Sequence, residues 1–301
     1  MIHRNLRTHV AALFAFLLLL VFAAPLHAQE QSGKSCLFKV TSSGNTVYLL
    51  GSVHMMKESV YPLSGTIERA FQRSANAVFE INMEEMEKNS SQTQEMIMRK
   101  SVFTDGNTLG KVLKPATYVK LKEAMKPLGV DIAQLETLKP WSVAMALVVF
   151  KMNKLGFSPE AGVDRYFYKK AVDAGKKISG LETMEWQLSL MDGLPMAQQE
   201  MLVNQTLDDF ADMGETVDEM MVAWKSGDMN KIEQMIAGSF QTYPELYDAL
   251  FVQRNKRWVF QVEALLTQKK TSFVVVGVGH LIGQGSLLEL LRRKGYTVEQ
   301  M

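Results

Sequence analysis

His54 and His280 close two stretches that read nearly alike. Thr46–His54 is TVYLLGSVH and Ser272–His280 is SFVVVGVGH, so each is an apolar, strand-like run that breaks at a glycine, Gly51 or Gly277, and presents an imidazole three residues on. Imidazole is the commonest protein ligand for transition metals, and a glycine just ahead of it lets the backbone turn so that the ring projects from a sheet end. Two such rings from similar strands predict one shared ion, with a carboxylate completing a two-His, one-carboxylate set that leaves positions open for water. Glu80 is the candidate carboxylate, because it ends the apolar run Ala77–Ile81, where an unpartnered charge is costly to bury. Plainer readings stand beside this one. A lone histidine at a strand end is more often structural, and Glu80 is equally suited to pair with a buried arginine such as Arg254. The spacing forms no compact HExxH-type motif. The pairing of the two histidines is what favours a shared site.

That pairing dictates the elements around it. Cys36–Val40 and Thr46–Leu50 read as strands joined by Thr41-Ser42-Ser43-Gly44-Asn45, a hairpin-turn composition. Ser64 is placed to cap a helix over 64–74 with Ile67, Ala70 and Phe71 at helical spacing, and Ala77–Ile81 returns as the strand that delivers Glu80. The C-terminal copy repeats the plan with a helix over 285–294, then Gly295, then a strand over 296–299. Between the copies the chain reads as mostly helical. Residues 84–100 are polar and Met-bearing, suited to a mobile helix or lid, and 141–154 is so apolar through Val143–Phe150 that burial is expected. Helices are also expected over 115–125, 159–174, 194–213, 217–225, 228–237 and 245–268, with a short strand, Lys177–Leu181, leading to Glu182. The fold class is therefore α+β: a mixed sheet core built from two pseudo-symmetric β-loop-α-β units at the chain ends, with a large helical insertion, all in a single domain over 29–301. The scattered methionines read as core filler.

Composition narrows the function. Of 301 residues 47% are hydrophobic and 22% charged, an ordinary globular balance. Met1–Ala28 reads as a cleavable leader: Arg4 and Arg7 form a positive start, Val10–Ala24 an apolar stretch short for a membrane span, and Pro25–Ala28 a processing site. Without it, 31 basic residues (33 less Arg4 and Arg7) face 32 acidic ones, which argues against nucleic acid as a partner. His3, His9 and His27 leave with the leader, so His54 and His280 are the only histidines of the mature chain. No later run is long enough to span a bilayer, and the lone Cys36 allows no internal disulfide. Localisation in the periplasm, or secretion, with no stable membrane insertion after cleavage, is the expectation. Intact mass of the exported protein is expected to begin at Gln29; a full-length mass in the inner-membrane fraction would refute the cleavage.

The residues also carry a family resemblance. YLLGSVHMMKESVYPLSGTIERAFQRSANAVFEIN, GVDRYFYKKAVDAGKKISGLETMEWQ, FVQRNKRW and VVVGVGHLIGQGSLLELLRRKGYTV together resemble the TraB/GumN family, over roughly Leu37 to Val298. That family includes PrgY and the Tiki metalloproteases and is related to the erythromycin-esterase and ChaN-like group. The resemblance implies paired β-α-β elements around the two GxxH strands, and a divalent cofactor (manganese, cobalt or zinc) held by His54, Glu80 and His280. Arg254 and Asn255 match the family's Arg-Asn pair, and Asp164 and Glu182 match acidic positions of the middle block.

On that reading the chain is expected to be a metal-dependent hydrolase of peptidase type, acting on a peptide or other small envelope substrate. Glu182 is the first candidate to carry the proton, and Arg254 to stabilise an oxyanion or clamp a substrate carboxylate. Asn255 and Asp164 are candidates for substrate contact. The alternatives are a non-catalytic protein that binds a peptide or haem, and an accessory factor in envelope polysaccharide assembly.

Overall fold

Strands made of unbroken Val and Leu runs belong in a sheet covered on both faces, and the computed structural model places them there. It describes residues 33–241 and 244–301, so the leader Met1–Ala28 lies outside the described residues. Six strands form one sheet in the order β4-β3-β5-β2-β1-β6: β1 Leu37–Thr41, β2 Thr46–Ser52, β3 Asn76–Ile81, β4 Lys177–Glu182, β5 Ser272–Gly277 and β6 Thr297–Gln300. β5 runs parallel to both β2 and β3, and β3 parallel to β4, whereas β1 is antiparallel to β2 and β6. The two histidine strands are thus neighbours. Ser52 pairs with Gly277, so GSVH and GVGH leave the sheet at the same edge.

Helices cover both faces. On one, Gly65–Arg73, Val163–Asp173, Met213–Ser226 and Met229–Phe240 pack Ile67, Phe71, Phe167, Trp224 and Ile232 onto Tyr48, Leu50, Phe79 and Phe273. On the other, Gln253–Leu266 and Leu287–Arg293 pack Trp258, Val262, Leu288 and Leu291 onto Leu49, Val78, Val274 and Val276. Pro115–Met125 and Pro140–Lys154 belong to a separate helical cluster around Leu121, Met125 and Leu147. The architecture is α+β, as the sequence leads one to expect. Among the described residues no helix is long and apolar enough to cross a membrane.

Several elements differ from the sequence reading. The helix over 84–100 is two helices, Met83–Lys88 capped by the Asn82 side chain and Ser90–Ser101, parted at Asn89, whose ψ of 38° leaves the helical range. Met184–Asp192 is a helix that the sequence reading passed over; Thr183 caps it. The helix over 245–268 is broken by a π turn at Asp248–Val252. Pro140–Lys154 is not buried along its length: Val143, Ala144 and Leu147 are, but Met145, Val149 and Phe150 are 40, 39 and 36% exposed. Apolar composition without periodicity conceals which face turns outward. The two β-α-β units share element order and strand direction, yet β3 lies beside β5 while β6 lands at the far edge beside β1.

Cys36 lies just ahead of β1 with 1% of its surface exposed, and its thiol faces the Trp224 carbonyl at 3.4 Å. Burial pushes its pKa up from 9.0 to about 12. An acid whose folded pKa is raised leaves stability intact below its unfolded pKa and removes it above, at about 1.4 kcal/mol per pH unit. Denaturant melts of wild type are therefore expected to lose stability between pH 9 and 11 faster than those of Cys36→Ala. Parallel curves would show that the thiol ionises in place.

Candidate functional site

The site forms where β2, β3, β4 and β5 end together. β3 delivers Glu80, 6% exposed, and β4 delivers Glu182. The first turn of Gln253–Leu266 brings Arg254 and Asn255, both buried, under the loop that carries His280. His280 is packed between aromatic rings, Trp258 at 4.3 Å and Phe251 at 5.1 Å between centroids. His54, by contrast, stands at the open side with 60% of its side chain exposed.

The hydrogen bonds orient both imidazoles and fix the tautomer of His280. Asn255 Nδ2 donates to the Gly285 carbonyl at 3.0 Å, which turns its Oδ1 to His280 Nδ1 at 2.7 Å. His280 Nδ1 is therefore the donor, and Nε2 keeps its lone pair. Asp164 Oδ1 lies 3.1 Å from His54 Nδ1 and makes that nitrogen the donor as well. Each ring then presents Nε2 to the same atom, Glu80 Oε1, at 3.9 Å from His54 and 3.8 Å from His280. Metal-binding histidines are commonly held this way, the far nitrogen donating to a carboxylate or amide oxygen.

Glu80 is divided between two tasks. Its Oε2 accepts from Arg254 Nη2 at 2.5 Å and Gln187 Nε2 at 3.2 Å, while Oε1 accepts from the Gly277 amide at 2.7 Å and faces the histidines. Burial disfavours the charge, but the neighbouring Arg254 guanidinium and the Gly277 N–H outweigh it and hold the carboxyl below the usual carboxylate range. Burial, reinforced by Arg254, pushes His280 down to about 3 against the pull of Glu80, so its ring is neutral. For His54 desolvation pulls the same way, but Asp164 and Glu80 prevail and raise it. Its exposure lets solvent screen part of that pull.

Arg254 sits in the middle with every donor engaged. Nε bonds Glu182 Oε2 at 3.3 Å; Nη1 bonds the Leu250 carbonyl at 3.2 Å and His280 Nε2 at 3.0 Å; Nη2 bonds Glu80 Oε2 and, at 2.6 Å, Glu182 Oε1. A guanidinium has five N–H donors, so none is left over. The π turn contributes one of these acceptors. Gln253 N–H reaches back to Asp248, and turns of this kind leave carbonyls such as Leu250's open to side chains.

The residues singled out from sequence thus converge, though with different contacts. Glu80 does pair with Arg254. Asn255 and Asp164, expected at the substrate, bond to the two histidines instead, although Asp164 also lines the cleft. Glu182, expected to carry a proton, spends its oxygens on Arg254 and on Trp258 Nε1 at 3.2 Å, with only 2% of its side chain exposed. Arg254, expected to meet an oxyanion, has no free N–H in this arrangement. Gln187, Trp258 and Phe251 were missed. A glutamine or an aromatic on a helix gives no sequence signal; only the tertiary fold aims it. The cleft in front of His54 and Glu80 measures about 370 Å³ and is lined also by Phe79, Met83, Asp164 and Gln187.

The donors suit a divalent ion in kind. Ligands about 2.1 Å from one ion lie roughly 3.0–3.4 Å from each other, slightly less than the 3.8 and 3.9 Å seen here. Gly277 leaves the space between them clear: a Cβ there would lie 3.2 Å from Glu80 Oε1, 3.5 Å from His54 Nε2 and 3.7 Å from His280 Cδ2. As they stand, no three His, Cys, Asp or Glu groups among the described residues are spaced to hold an ion.

A mixed sheet whose paired GxxH turns meet a strand-end glutamate and an Arg-Asn pair defines a recognisable class. The chain belongs to the TraB/PrgY/gumN family, whose model matches residues 36–300. It is 24% identical to uncharacterized protein YbaP of Escherichia coli (strain K12) over 84% of this chain and 90% of that one. It is 23% identical to metalloprotease TIKI1 and 24% identical to metalloprotease TIKI2 of Danio rerio, over 84% of this chain in each case but 60 and 58% of theirs. No solved structure matches the chain.

Proposed function

We propose that this protein is an exported, metal-dependent hydrolase of peptide bonds, with His54, Glu80 and His280 as the ligands. The observation that carries the reading is the convergence of two oriented Nε2 atoms on one oxygen of a buried, ionised glutamate. The likeness to the TIKI metalloproteases supports the class; the periplasm and the peptide substrate rest on the leader and on that likeness. A divalent ion held here supplies Lewis acidity toward a scissile carbonyl and toward water.

The chain's own groups do the rest. Asp164 and Asn255 turn both Nε2 atoms inward, and His54 gives up its Nε2 proton on binding an ion. Gln187 and Arg254 anchor Glu80 Oε2 and so leave Oε1 to bind. Glu182 and Trp258 support Arg254 from behind, a positioning role in place of proton transfer. The cleft admits substrate past Met83 and Phe79 on the His54 side.

Calorimetric titration with manganese, cobalt and zinc is expected to give one ion per wild-type chain, and none for His54→Ala, His280→Ala or Glu80→Gln. Melts run alongside should leave His54→Ala within about 1 kcal/mol of wild type, as for an exposed side chain. Wild type without an ion, or equal affinity in all four proteins, would remove the basis for the assignment.

A further inference from the structure

The saturation of Arg254 has a sharper meaning, which rests on the metal assignment just made. A nitrogen lone pair serves one acceptor role at a time. His280 Nε2 now accepts from Arg254 Nη1 at 3.0 Å, and it is also the atom aimed at Glu80 Oε1. No cation can use His280 until that hydrogen bond is released. The other four bonds of Arg254 go to Glu80, Glu182 and Leu250, and none of them needs to break for His280 to bind.

We infer that Arg254 is the site's built-in stand-in cation: it occupies the His280 lone pair until an ion takes its place, and the exchange releases that one Nη1–H bond. Two buried carboxylates around one guanidinium support this. Glu80 and Glu182 carry two negative charges, and Arg254, 8% exposed, returns one positive charge between them. An arriving ion is attracted by the carboxylates and repelled by the guanidinium a few ångströms away, in surroundings where such terms are large. The exchange leaves the rest of the guanidinium in place, since its bonds to Glu80, Glu182 and Leu250 do not involve His280. A structural ion pair would couple to nothing; this arrangement links cation uptake to the freeing of a hydrogen-bond donor.

The test compares wild type, Arg254→Met and Arg254→Lys by zinc titration and by melts with and without zinc. Arg254→Met removes the competing charge at similar length. It is expected to melt lower than wild type without zinc, to bind zinc about tenfold or more tightly, and to gain more in melting temperature on zinc addition. Arg254→Lys keeps the charge and should stay near wild-type affinity. Equal or weaker zinc binding by a folded Arg254→Met would overturn the inference. If that variant does not fold, wild type alone decides. Nitrogen-15 spectra should show one Arg254 Nη proton protected from exchange without zinc and released with it, whereas unchanged protection in the zinc-loaded protein would overturn the inference. If neither wild type nor variants take up zinc, manganese or cobalt, the metal assignment falls and this inference falls with it. If His54→Ala abolishes uptake while Arg254→Met fails to tighten it, the Arg254 inference alone falls.

Discussion

Gly162→Ala lowers the melting temperature by about 6–12 °C and loosens the site in the same stroke. Gly162 has a φ of −58°, open to any residue, so the whole penalty comes from the added methyl group. That Cβ would lie 2.3 Å from the His54 carbonyl oxygen, 2.9 Å from its carbon and 3.0 Å from the Pro159 carbonyl oxygen. All three are backbone atoms and cannot swing aside. Overpacking of this kind costs about 3 kcal/mol, which at this size is about 2–4 °C per kcal/mol. The same backbone approach is anchored by Val163 N–H on the Val53 carbonyl at 3.0 Å, so a displaced helix start carries His54 with it. Thermal melts and zinc titration of Gly162→Ala, with Gly238→Ala as control, check the claim; a Cβ at Gly238 meets nothing within 4 Å. A Gly162→Ala protein that matches wild type in both measurements would show that the His54 segment is not pinned there.

Asn255→Ala and Asp164→Ala are both expected to weaken ion binding about 10–100-fold, because each removes the partner that orients a ligand's imidazole. They separate in stability. Asn255 is 1% exposed, and its loss strands His280 Nδ1–H and the Gly285 carbonyl, at a cost of about 1–3 kcal/mol. Asp164 is partly open to solvent, and its exposed pair with His54 contributes about 0–1 kcal/mol. Calorimetry and melts on the two variants together decide the matter. Affinity that falls only in step with stability would mean that these side chains serve packing and not the ligands.

The parts of this site that were legible in the sequence are those written in local pattern. Strand runs that stop at glycine announced His54 and His280, and a glutamate closing an apolar run announced Glu80. The Arg-Asn pair was visible, but not the fact that Asn255 reaches one histidine while Arg254 spans both carboxylates, since those contacts join β3, β4 and a helix far apart in the chain. Gln187 sits on Met184–Asp192, a helix too short and too irregular in its apolar spacing to be read. The π turn that opens Leu250 to Arg254 left no trace either, because Asp248–Val252 looks like ordinary helix in sequence. The outward face of Met145, Val149 and Phe150 was hidden for the opposite reason: a segment apolar all round carries no phase.

The strand order has a consequence for how the molecule comes into being. β5 lies between β2 and β3, so these two strands, both complete by position 81, are held apart in the finished sheet by a strand near the other end of the chain. The central pairings span nearly the full length, the kind of long-range closure that slows folding. A growing or truncated chain without Ser272–Gly277 has no middle to its sheet, and nothing sets Gly277 N–H against Glu80. Assembly of the cleft in front of His54 and Glu80 therefore waits for the β5 strand. Partial chains cannot acquire it piecemeal, and an incompletely made protein has no such cleft until its sheet closes.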